Sequence, residues 1–430
     1  MNILKEVLKH QVYPAMGCTE PVSVALCAAH AARTLGEPPT EALLILDAGT
    51  YKNGMGVTVP NTAGEKGNLL AGALGLLIAD PADGMEILKN CTAARLRKAR
   101  TLVSCGKVKI TVEAQERAMH IEARVSGKKN RATCIISGSH TNVSFLSRNG
   151  KTIKKSKTAK AHGSAKWKAE LAKLSIADLV RAAENVDRRD LAYIKAGIEM
   201  NLAAALAGKK LEKVGFYMEQ LIARGYMSDD VFSSTKKLTA YASDARMEGL
   251  PIPVMASGES GNQGIVAILA PYNFGTIMNI QPSRIYTSIA LSHLLNSYVK
   301  VFTGGLAPIC GCAIAAGVGA AAAIVYQLKG ADEKAISLAI NNLISDLGGM
   351  LCDGAKSGCA LKIVSSVDAA IRSAYMGIHY YGITEVEGFV GHTAEETIRN
   401  LARISNTGMA KVDNTIVDIM LKKQNPPCLE

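Results

Sequence analysis

Apolar residues in this chain change their spacing part-way along, and that change limits what the chain can fold into. They alternate with polar residues in three short runs, 108–113, 119–125 and 132–137, with turn residues at Ser126-Gly127 and Gly138. Alternation buries one face of a strand. The run 42–47, ALLILD, is continuously apolar and reads as a further, buried strand. From Ser175 onward the spacing is helical, over 175–185, 190–206, 212–224, 229–247, 282–303, 312–328, 333–345 and 364–375. Ser175 with Asp178 fits a capping box at the first of these. The expectation is an α+β chain: a mixed α/β N-terminal domain over 1–165 and a larger all-helical C-terminal domain over 166–430. A length of 430 residues suffices for two such cores. No fixed-period repeat points to a solenoid.

The first 35 residues add helical signal. The run 22–34 is compact and apolar, and Gly36, Pro38 and Pro39 end it. Gly49 to Gly56 reads as a loop, and 61–80, NTAGEKGNLLAGALGLLIAD, as a helix weakened by glycine. Aromatic residues are scarce, so close packing of Ala-, Gly- and Leu-rich helices is expected.

Several function classes lose ground on composition. The best membrane candidate, 313–326, AIAAGVGAAAAIVY, is shorter than the roughly 20 apolar residues a span requires. It reads as a buried helix against which other backbones pack. The N-terminus, MNILKEVLKHQ, lacks the pattern of a signal peptide. A cytoplasmic protein is expected, with reduced thiols and no membrane association. The net charge of +12 owes more than half its excess to seven lysines between 151 and 168, a stretch without acids. That stretch reads as a solvated hairpin or linker; Trp167 is its sole aromatic, and no nucleic-acid partner is expected.

Chemistry concentrates in the cysteines. Cys310 and Cys312 lie in GGLAPICGCA, Cys352 and Cys359 in GGMLCDGAKSGC, and Cys18 in MGCTEP. Thiolates are soft ligands, and three or four gathered in space suit an iron–sulfur cluster or zinc. The intervals, 40 positions from Cys312 to Cys352 and seven from Cys352 to Cys359, match neither zinc-finger pairs nor ferredoxin runs. On spacing alone, ligands and inert buried cysteines remain equal alternatives. Cys18 precedes an apolar helix that would start near Thr19 to Pro21, where a helix N-terminus lowers a thiol pKa.

Two polar segments complete the candidates. Ser137, Gly138, Ser139, His140, Thr141 and Asn142 follow a strand; their hydroxyls and imidazole would hold a carboxylate or move protons, or form only a turn. The loop 257–264, SGESGNQG, offers backbone N–H groups and the amides of Asn262 and Gln263 to a small anion. It lacks a P-loop ending, which argues against nucleotide. Asn53 lies in a similar loop.

The segment from Gly348 to Cys359, together with Cys312 followed by AIAAGVG, resembles the paired-cysteine region of the iron–sulfur L-serine dehydratases. MGCTEP, residues 16–21, is closer still to the L-cysteine desulfidase family. The likeness runs from Tyr13 to about His392, with its motifs in the same order. It implies a [4Fe–4S] cluster on Cys312, Cys352 and Cys359, with Cys310 as the alternative first ligand and one iron open to substrate. It further implies Cys18 as proton acceptor; Cys428 is either a thiol that occupies the open iron, as in such dehydratases, or an exposed thiol of a disordered tail. Substrate contacts are expected from Thr19, Glu20, Asn53, Ser137, Ser139, His140, Ser257, Asn262 and Gln263. The implied activity is a lyase acting on L-cysteine, to give pyruvate, ammonia and sulfide, or on L-serine. A non-catalytic thiol protein holding zinc or a redox-sensitive cluster is the alternative. Glycine-rich helices are compatible with a homodimer.

Overall fold

The computed structural model describes residues 1–113, 119–155 and 162–424. Its class is α+β: many helices and one small mixed sheet. Six strands run in the spatial order Val108–Glu113, Glu41–Asp47, His120–Ser126, Arg131–Ser137, Val143–Arg148, Lys151–Lys155. The first pair is parallel and every later pair antiparallel. Alternation explains the burial: Ile121, Ala123 and Val125 of one strand and Ala132, Cys134 and Ile136 of its neighbour are buried, with partly open residues between. Helices Thr19–Leu35 and Asn68–Ile78 cover that buried face with Val24, Ala28, Leu74 and their neighbours.

The second core is helical. Its centre is the helix Ala315–Lys329, whose Ala320 to Val325 are fully buried. Small residues there let helices approach closely: a Cβ on Gly319 would lie 2.5 Å from the carbonyl oxygen of Ser292 on helix Pro282–Thr303. Among the described residues no helix is long and apolar enough to cross a membrane. Trp167, in the lysine-rich stretch, is buried and stacks on His10 with centroids 5.9 Å apart.

The two cores exchange their terminal helices. Ile3–Gln11 buries Leu4, Val7 and Leu8 in the helical core, while Val412–Gln424 sends Val417 to the sheet core. A two-residue pairing of Pro14–Ala15 with Val254–Met255 fastens the N-terminal segment to the helical part. The segments that join these two helices to the rest of the chain therefore cross the junction between the cores.

Three local expectations are corrected. Gly49 to Gly56 is a helix, Ala48–Met55, because the Asp47 side chain caps it, accepting from Thr50 N at 2.9 Å and Thr50 Oγ1 at 2.6 Å. The helix expected over 61–80 begins only at Asn68, after a turn closed by a bridge between Thr58 and Lys66. The helix expected from Cys312 starts at Ala315, so Cys312 lies in the turn before it.

Candidate functional site

At the junction of the two cores lies a cavity of about 830 Å³. Cys310, Cys312, Cys352 and Cys359 all border it, and Cys18 does so as well. Local backbone geometry explains the meeting. An antiparallel bridge joins Ile309 to Leu351; Cys310 N donates to Met350 O at 2.8 Å and Cys352 N to Pro308 O at 2.7 Å. This rung sets two distant cysteine segments side by side. Gly354 then turns with φ +93°, and a Cβ there would sit 2.2 Å from Lys52 O. Only glycine permits that approach, which lays the 352–359 loop on the helix that carries Asn53. Cys359 is the first residue of helix Cys359–Ile378.

The thiols sense one another. Cys310 Sγ and Cys312 Sγ are 3.6 Å apart. A hydrogen bond from Cys312, helped by the Lys362 charge, holds the Cys310 thiol below its usual range, while Cys312 is pushed well above it. Burial chiefly raises Cys359 to about 11, with Cys310 and Cys352 adding to it. Among the described residues, no three His, Cys, Asp or Glu side chains are arranged to share a single metal ion. Four soft donors bordering one cavity are nonetheless the donor chemistry of an iron–sulfur cluster, whose several irons separate its ligands more widely than one ion does. In that sense the residues fit such a group. Cys428 lies outside the described residues.

Cys18 is the N-cap of helix Thr19–Leu35, with φ −90° and ψ 134°. It donates to Glu20 Oε2 at 2.8 Å. The expectation of a lowered thiol pKa is overturned. Burial pushes Cys18 well above its ordinary value, and the Glu20 charge adds to that, outweighing the opposing pull of Arg246. Glu20 itself is buried, and burial disfavours its charge. Electrostatic interaction with His140 and hydrogen bonds from Cys18 and Asn53 outweigh this and hold its carboxyl below the usual range. Thr19 Oγ1 donates to the same oxygen at 3.1 Å, and Asn53 Nδ2 to Oε1 at 3.0 Å. Asn53 Oδ1 in turn lies 4.0 Å from Cys352 Sγ. A polar chain thus runs Cys18, Glu20, Asn53, Cys352.

The other candidates divide. Ser139 and His140 border the cavity, and His140 Nε2 is buried without a hydrogen-bond partner. Ser137 does not border it; its Oγ pairs with Ser144 Oγ at 2.8 Å on the neighbouring strand. Asn262 and Gln263 border the cavity at the start of helix Gly261–Ile277. Ser257 is fully buried beneath, held by His293 Nδ1 and Asn296 Nδ2, each 2.9 Å from its Oγ. Burial pulls His293 down to about 3, so this ring is neutral and positions the loop.

Several bordering groups escape the sequence reading, Arg246, Lys300 and Asp413 among them. Arg246 is 4% exposed and makes no ion pair with any described residue. Lys300 donates to Gly305 O, and burial lowers its pKa against the opposing pull of Glu259, Cys352 and Cys312. Asp413 pairs at 2.6 Å with the buried Lys52. The available signal for Arg246 was a cation inside TAYASDARM, a run of small residues that a helix would bury.

A profile for "Serine dehydratase alpha chain" matches residues 82–418. The chain belongs to the serine dehydratase alpha chain family. Relatives matched end to end include a "UPF0597 protein" of Elusimicrobium minutum, 59% identical over 98% of this chain and 100% of that protein. Another, from Geobacter sulfurreducens, is 51% identical over 99% of both chains. A third, from Caldanaerobacter subterraneus, is 41% identical over 98% of this chain and 99% of its own length. No solved structure matches the chain. Membership points to a lyase of the serine dehydratase type.

Proposed function

We propose that this chain is a cytoplasmic lyase that removes the β-substituent of a small L-amino acid. The first substrate is L-cysteine, which with water gives pyruvate, ammonia and sulfide; L-serine, giving pyruvate and ammonia, is the alternative that the family description favours. The observation that carries this reading is the polar chain from Cys18 through Glu20 and Asn53 to Cys352, in a cavity bordered by four thiols.

Cys352 and Cys359, with Cys312 or Cys310, would hold a [4Fe–4S] cluster. When bound, it supplies a Lewis-acidic iron that makes the β-substituent leave more readily. The rest is done by side chains. Cys18 is protonated at rest, so it accepts the α-proton only as it passes its own proton to Glu20, 2.8 Å away. Asn53 holds Glu20 for that transfer. The C–S or C–O bond electrons depart with the leaving group, and the aminoacrylate left behind tautomerises and is hydrolysed by water. Ser139 and His140 border the same cavity and would contact the substrate there.

The test is turnover of both amino acids by anaerobically reconstituted protein, with pyruvate and sulfide measured. Cys18→Ala is expected to keep the brown chromophore and lose turnover. A Cys18→Ala protein as active as the wild type removes Cys18 from the proton path.

A further inference from the structure

Arg246 is a buried cation without an ion pair among the described residues. It is 96% removed from solvent, since only 4% of it is exposed, and a buried arginine without a counter-ion is costly. Among the described residues its Nε has no hydrogen-bond partner, and no carboxylate lies within ion-pair distance of its guanidinium. The carboxylates that border the cavity are engaged elsewhere: Glu20 by Cys18, Thr19 and Asn53, Asp47 by Thr50 and His120 N, Glu259 by Gln11 and Lys168, and Asp413 by Lys52.

A second, separate donor set lies against it. Helix Gly261–Ile277 is 17 residues long, and its N-cap residue Ser260 makes no side-chain capping bond. The N–H groups of its first turn have no acceptor inside the helix. The Arg246 side chain crosses that end: a Cβ on Gly261 would fall 2.4 Å from Nε. Asn262 and Gln263 of the same turn border the cavity, and Gln263 Oε1 is also buried without a partner. Next along the chain, Met247 packs with Cys18 and Cys359.

We propose that Arg246 and the first turn of helix Gly261–Ile277 form an anion subsite that takes the α-carboxylate of the substrate. A guanidinium and free helix N–H groups are complementary to a planar carboxylate. Gln263 Oε1 is an acceptor suited to the ammonium of the same molecule. This rests on the lyase reading and deepens it: the substrate must be an α-amino acid with a free carboxylate, and its amide or ester is refused.

The experiment is calorimetric titration of the full chain, without added iron, using L-alanine, which has no β-substituent to lose, and L-alaninamide. Wild-type protein is expected to bind L-alanine at least 30-fold more tightly than the amide. Arg246→Gln is expected to lose that preference, and Arg246→Lys to recover it to within about 5-fold. Should Arg246→Gln fold poorly, Gly261→Ala supplies an independent arm; its Cβ displaces the guanidinium and is expected to weaken L-alanine binding about 10-fold. Circular dichroism checks that each variant is folded. Wild-type protein that binds neither ligand, or folded variants that bind L-alanine as tightly as wild type, overturn the subsite. Its failure is separable from that of the lyase: pyruvate formation with an unchanged KM in Arg246→Gln removes the subsite alone. Arginine-dependent binding without any pyruvate removes the lyase alone.

Discussion

Replacing Glu20 by Gln separates the proton path from the stability of the site. The carboxylate is buried and accepts three hydrogen bonds, from Cys18 at 2.8 Å, Thr19 at 3.1 Å and Asn53 at 3.0 Å. A hydrogen bond to a charged group contributes about 1.5–3 kcal/mol and one to a neutral group about 0.5–1.5 kcal/mol. Glutamine keeps one acceptor oxygen, so the bonds from Cys18 and Thr19 weaken while the third survives only if the Asn53 amide turns its oxygen to the new NH2; together the loss is roughly 3 kcal/mol. The buried charge itself opposes folding by several kcal/mol, and the substitution relieves that. The two effects nearly cancel, so the melting temperature is expected to stay within roughly 5 °C of wild type. Turnover has no such compensation. An amide cannot receive the Cys18 proton, and loss of a positioned base costs about 100- to 10,000-fold. The assay is pyruvate release from L-cysteine under anaerobic conditions, alongside thermal melting and iron content. A Glu20→Gln protein with unchanged iron content and more than a third of wild-type turnover would refute the relay. A collapse in melting temperature would refute the balance of buried terms.

Three further outcomes follow from packing and charge. Gly319→Ala places a methyl 2.5 Å from Ser292 O and is expected to destabilise the helical core by about 1–3 kcal/mol, read by denaturant titration; an unchanged midpoint contradicts the close contact. Asp413→Asn leaves the buried Lys52 without its partner, at a cost of about 3 kcal/mol or more in the same titration. Asp244, raised by burial to about 6, binds its proton more tightly folded than unfolded. Its stabilising contribution is thus full below pH 4 and is lost as pH rises through 6. Asp244→Asn, which can still accept from Gly215 N, is expected to gain stability relative to wild type above pH 6 and little below pH 4. Parallel melting curves across that range contradict it.

Much of the fold was legible because local chemistry and tertiary packing agree. Ser175 and Asp178 form both bonds of the capping box that their spacing suggests, and helix Pro282–Thr303 has the bounds read from the sequence. Alternation located the strands, since only one face of each is buried. The misreading of residues 49–56 has a tertiary cause. Gly54 is tolerated in that helix because Asn68 packs against it, with Oδ1 1.7 Å from where a Cβ would lie. Turn propensity could not reveal that contact. At the site, Cys18, Glu20 and Asn53 stood in segments marked by their thiol, acid and glycines. Arg246 did not, because a sequence shows residues and not which buried charge lacks an ion pair among the described residues. Ser137 and Ser257 carry the right hydroxyls, yet each is consumed by a structural hydrogen bond.

The central claim is that thiols from distant segments converge to hold iron beside the Cys18–Glu20 pair. Its most direct measurement is iron and sulfide content, with pyruvate formation from L-cysteine, on anaerobically reconstituted wild-type and Cys352→Ala protein. About four irons per wild-type chain are expected, with pyruvate and sulfide released in equal amounts, and loss of both iron and turnover in the variant. A wild-type chain that takes up zinc instead, stays colourless and leaves L-cysteine and L-serine untouched would contradict it.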